Sequence, residues 1–148
     1  MSRRTRKRPP RYVRETTEAR LSDRLCELGV KFTQSTALDH VYKIDILVQE
    51  IEPLAALRYP IGVQITQKRD AAEKIRTFYE RSRNGTRGPL LYVEVHGRVT
   101  LEMSVALRSA LIALWLEAPR QRTREHRLAI TQSGTFWWLP ARADPKTP

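Results

Sequence analysis

Two short β-branched runs constrain this chain most: Val41-Tyr42-Lys43-Ile44-Asp45-Ile46-Leu47-Val48 and Ile61-Gly62-Val63-Gln64-Ile65-Thr66-Gln67-Lys68. Runs of this length and composition read as buried strands. Each nevertheless carries polar residues in its middle. Strand side chains alternate between faces. Alternation sets Lys43, Asp45 and Leu47 on one face of the first run, with Tyr42, Ile44, Ile46 and Val48 on the other. In the second, Ile61, Val63 and Ile65 share a face, and Gly62, Gln64, Thr66 and Lys68 share the opposite one. A buried carboxylate is costly unless paired, hydrogen-bonded or metal-bound. Asp45 is therefore the residue that most needs a partner.

The chain of 148 residues is expected to form one α/β domain over residues 15–140, with a basic flexible arm at 1–14 and a disordered tail at 141–148. No apolar run approaches the roughly 18 residues of a membrane span, and the arginine-rich start has no apolar segment behind it. The expectation is an intracellular protein of the cytoplasm or nucleoid. The single cysteine, Cys26, excludes an internal disulfide and a cysteine-cluster zinc site, and it is expected as a small core residue.

The formal charge is +11. Seven cations, Arg3, Arg4, Arg6, Lys7, Arg8, Arg11 and Arg14, lie in the first 14 residues with no acid, which leaves +4 for the rest. An excess of this size favours a polyanionic partner, nucleic acid ahead of membrane. The arm reads as a nucleic-acid contact, because each phosphate neutralised releases counterions. A solvated tail and a localisation signal are the other readings of such a run.

Around the two runs the spacing predicts a helix over 16–28, capped by Thr16 or Thr17 and stopped by Gly29, and a strand over 30–36. Leu38-Asp39-His40 reads as a turn. A second helix is expected at 70–83, with Asp70 and Glu73 as a capping pair and a basic flank that includes Arg69, Lys74 and Arg81. A strand follows at 90–95. The helix at 100–117 is apolar on most sides, which predicts burial or a homodimer or partner contact. Leu128–Thr131 and Thr135–Leu139 suggest a closing hairpin in which Trp137 and Trp138 take opposite faces, one of them exposed.

The resulting order, α-β-β-β-α-β-α and then a hairpin, with Asp45 in the second strand and Gln64-Ile65-Thr66 in the third, resembles the PD-(D/E)XK restriction-endonuclease-like superfamily over roughly residues 15–95. The resemblance implies a central mixed β-sheet flanked by helices. It also implies a nuclease site with an Asp on the second core strand and Glu/Asp-x-Lys on the next. Carried over by position, Asp45 matches the metal-binding Asp, and Glu18 matches a first-helix Glu seen in some members. Gln64 stands where the second acid belongs and Thr66 where the Lys belongs. Lys68, two residues on along the same face, is the candidate to supply the amine. Magnesium held by Asp45 and Gln64 would lower the pKa of an attacking water. The implied function is metal-dependent phosphodiester cleavage, on DNA rather than RNA. The alternative is a degenerate subunit that binds nucleic acid or assembles without cutting.

Overall fold

The computed structural model describes residues 16–54, 56–67, 72–120 and 123–142. The elements in chain order are α1 (Thr17–Glu27), β1 (Val30–Thr33), α2 (Thr36–Tyr42), β2 (Ile46–Ile51), β3 (Ile61–Thr66), α3 (Ala72–Ser82), β4 (Leu90–His96), α4 (Leu101–Glu117), a 3-10 turn (Ala118–Arg120), β5 (Glu125–Thr131) and β6 (Phe136–Leu139). The fold is α/β: a six-stranded mixed sheet in the order β1-β2-β3-β4-β5-β6, with four α-helices among the described residues. β1, β2 and β3 pair antiparallel in sequence. β3, β4 and β5 run parallel, and β6 returns antiparallel to β5.

Both faces of the sheet are covered, as expected for its parallel centre. On one face α1 and α4 bury Leu21, Leu25, Leu107 and Leu111 against Ile46, Val63, Val93 and Leu128. On the other, α3 buries Ile75, Phe78 and Tyr79 against Leu90 and Tyr92, with Ile44 beside them and Leu38 and Tyr42 of α2 packed on their edge. Double coverage explains why every residue of β3 is buried, the polar Gln64 and Thr66 included.

Local signals account for most boundaries. The Thr16 hydroxyl accepts from the Ala19 N–H at 3.0 Å and opens α1; Gly29, at φ +84°, closes it. Thr100 caps α4 in the same way, through the Met103 N–H. No helix among the described residues is long and apolar enough to cross a membrane. α4 buries Met103, Leu107, Ala110, Leu111 and Leu114, while Leu101, Val105 and Leu116 face outward.

Four expectations need correction. The turn at Leu38–His40 is inside α2, which Ser35 caps by accepting from the Leu38 N–H at 3.0 Å. Lys43 then ends α2 in the left-handed conformation, φ 59°. The second strand consequently begins at Ile46, not Val41, and Asp45 sits in the bend just before it. The break in alternation at Lys43 also turns Ile44 away from Ile46, onto the α3 face. Cys26 is exposed, because α1 buries the stripe through Leu21, Ser22 and Leu25, and position 26 points away from it. Trp137 and Trp138 are both exposed, at 42% and 43%, because β6 is the sheet edge and no helix covers either of its faces completely.

The last described residues are held down. Arg142 makes a bidentate pair with Glu125, 2.7 Å to each oxygen, and its guanidinium lies over the Tyr79 ring. Residues 1–15 and 143–148, and with them the arm and most of the tail, lie outside the described residues.

Candidate active site

β2 and β3 part company at Asp45. The Asp45 N–H still donates to the Val63 carbonyl at 2.8 Å. Its side chain then takes over from the strand: Oδ2 accepts from the Ile65 N–H at 2.7 Å. Backbone amides of a strand that has lost its neighbour need another acceptor, and the carboxylate supplies it. The Asp45 side chain is thereby fixed at the mouth of a cavity of about 390 Å³, lined by Glu18, Asp39, Lys43, Asp45, Gln64, Ile65, Lys74 and Thr77.

The cavity draws on both helical layers. Glu18 comes from the first turn of α1, and its carboxyl lies within hydrogen-bonding reach of Asp45. Gln64 comes from the centre of β3. Its Nε2 donates to the Lys43 carbonyl at 3.2 Å, which leaves Oε1 buried with no hydrogen-bond partner. Lys74 comes from the first turn of α3, and its Nζ donates to the Thr66 hydroxyl at 3.2 Å.

The electrostatics follow from burial. Desolvation is the largest influence on Asp45, and the charges of Glu18 and Asp39 add to it. The Ile65 N–H and Lys74 oppose them, and the carboxyl is pushed up to about 7. Glu18 is also raised, by burial first and then by Asp39, with the hydrogen bond to Asp45 acting the other way. Two neighbouring carboxyls that resist ionising together are relieved by a proton or a cation. Asp45, Glu18 and the orphaned Gln64 oxygen form an all-oxygen donor set, the kind that suits a hard divalent ion. No group of three or more His, Cys, Asp or Glu side chains with metal-binding geometry occurs among the described residues. Any metal held here would thus need the amide of Gln64 as well as the acids.

Of the candidate catalytic residues, Glu18, Asp45 and Gln64 meet in this cavity. Lys68 and Arg69 lie outside the described residues, as do Asp70 and the arginines of the arm. The amine in the cavity belongs to Lys74, which the sequence placed on a basic flank for nucleic acid. Arg81 lies two turns further along α3 and outside the cavity. Part of the flank is ion-paired: Arg76 meets Glu73 and Glu80, and Arg83 approaches Glu125. Sequence reasoning missed Asp39 and Thr77, and it set Lys43 on the face of Asp45 without giving it a place in the site. Ser35 ahead of Thr36-Ala37-Leu38 was the available signal for the helix that carries Asp39 to the rim.

Comparison with known proteins adds no relative to this picture: no family model matches the chain, and no curated protein or solved structure matches it significantly.

Proposed function

We propose that this chain acts on nucleic acid through a restriction-endonuclease-like core and cleaves phosphodiester bonds with the help of a divalent metal ion, magnesium being the expected one. The observation that carries the reading is the convergence of Glu18, Asp45, the unpartnered Gln64 oxygen and Lys74 on one cavity. The helix-flanked mixed sheet agrees with the architecture that the resemblance implies, although α2 is inserted into the expected order.

In this reading Asp45, Glu18 and Gln64 hold the metal. Such an ion supplies a lowered pKa for bound water and compensation for charge on the phosphate. Lys74 orients the attacking water and faces the charge that builds on the phosphoryl oxygens. Thr66, hydrogen-bonded to Lys74, keeps the amine at the end of β3. A Lys carried on a helix and not on the strand fits the presence of Thr66 at the strand position. Lys74 and Arg81, about 10 Å apart along α3 at 1.5 Å per residue, and the arm at 1–14 provide contacts to the backbone of the substrate. The outward Leu101 and Val105 of α4 support a contact with a second copy or a partner protein.

The test is cleavage of nicked, branched and duplex DNA, and of RNA, by purified protein with Mg²⁺ or Mn²⁺. Asp45→Ala should abolish it, and Lys74→Met should slow it by about 10²-fold, a typical loss for one positioned proton-handling group. Absence of cleavage on every substrate would sink the reading. One observation favours a non-catalytic binder instead: Gln64 stands where an acid belongs, so the site holds fewer negative charges. A binder would keep its affinity in Asp45→Ala and lose it steeply with salt and with deletion of residues 1–14.

A further inference from the structure

A second cavity, of about 560 Å³, opens at the other end of β3 from Asp45, beside the first residues of β3, β4 and β5. Its walls are apolar and aromatic, with Tyr59, Trp115 and Leu116 prominent; Tyr59 and Leu116 are exposed. Three guanidinium groups, of Arg58, Arg87 and Arg124, line it, and none of its lining residues is acidic. Among the described residues Arg58 and Arg87 have no carboxylate partner, and Arg58 lies 5.4 Å above the Tyr59 ring. Arg124 is fixed without an acid: it donates to the carbonyls of Gly88 at 3.0 Å, Thr86, and Arg83 at 3.5 Å. Burial and the nearby charge of Arg83 lower its pKa, with Glu125 opposing them. His126, on the same wall, is held towards its neutral form by burial and adds no charge.

A cavity of this size, mostly apolar with a few convergent polar groups, has the form of a small-molecule site. Guanidinium groups match phosphate and carboxylate oxygens in pairs, and they stack on flat rings. We propose that this cavity is a second binding site, for a small organic anion whose flat apolar body rests against Tyr59, Trp115 and Leu116 and whose phosphate or carboxylate faces Arg58, Arg87 and Arg124. The site is independent of the cleavage proposed at Asp45, since the two cavities share no lining residue.

The experiment is calorimetric titration of the full chain with 1-naphthyl phosphate and 1-naphthoate, with 1-naphthol and inorganic phosphate as the two halves of the ligand. One of the aromatic anions should bind with one-to-one stoichiometry. Each half should bind at least about tenfold more weakly than that anion. Arg58→Ala combined with Arg87→Ala should cost at least about tenfold, the loss of a charge-assisted contact. Both arginines are exposed, so the double variant should keep its fold. Asp45→Ala should bind as the wild type does, which separates this site from the cleavage reading. Several results would overturn the proposal: no binding of either aromatic anion, equal binding of 1-naphthol or of inorganic phosphate, or an unaffected double variant. Affinity that falls as protein concentration rises would also overturn it, because the cavity would then be a contact between copies of the chain.

Discussion

Ionised Asp45 is favoured by the Ile65 N–H and Lys74, and disfavoured by burial, Glu18 and Asp39. Burial wins, so the carboxyl titrates at about 7 in the folded chain against 3.8 for the free group. Between those values the folded state binds the extra proton, so stability falls as pH rises, by at most about 4 kcal/mol. Asp45→Asn keeps an oxygen for the Ile65 N–H and removes the charge. In metal-free buffer it should melt above the wild type at pH 8, with the gap closing towards pH 4. Added Mg²⁺ should raise the wild-type melting temperature at pH 8 and leave that of the Asn variant unchanged. An Asn variant that melts lower at pH 8 would refute the account. Asp45 and Gln64 were legible in the sequence, because polar residues inside apolar runs are anomalous and the two runs face each other. Lys74 was not. Its reach to Thr66 depends on where α3 starts after β3, and eight residues of spacing carry no periodic signal for that.

At the scale of elements, the sheet and the long helices were legible because their apolar periods are strong. α2 was not, since it is seven residues long, none of them fully buried, and the single i, i+4 pair Leu38 and Tyr42 is too short a stripe to read as a period. Its consequences are large: it brings Asp39 to the cavity and moves the start of β2. The start of β4 shows a different kind of constraint. A Cβ on Gly88 would lie 2.1 Å from the Pro60 carbonyl oxygen and 2.4 Å from that of Tyr59, both backbone atoms that cannot turn aside. Gly88→Ala should therefore push β4 from β3 and destabilise the domain by about 2 kcal/mol or more, as overpacking does. Chemical denaturation checks this. An alanine variant within about 0.5 kcal/mol of the wild type, the range of ordinary surface changes, would show that the approach relaxes freely.

Across the whole molecule the two faces of the sheet differ in chemistry. On β3 and β4 the α1–α4 face is apolar, whereas the α3 face of the sheet carries Gln64, Thr66, Tyr92, Glu94 and Arg127. Glu94 and Arg127 pair there at 2.6 Å, and both are buried. Arg127→Ala alone should cost about 3–5 kcal/mol by stranding the carboxylate, while Arg127→Met with Glu94→Leu should recover most of it. A single variant that melts like the wild type would contradict burial of the pair. Handedness links this face to the active site. β3, β4 and β5 are parallel and step the same way across the sheet, yet α3 and α4, which connect them, lie on opposite faces. One of the two crossovers is therefore left-handed, a sense found in only about 2% of such connections. Were both right-handed, the two helices would share a face. Opposite hands put α3 on the face of Gln64 and Thr66 while α4 covers the other, so Lys74 reaches Thr66 on a face that α4 leaves free.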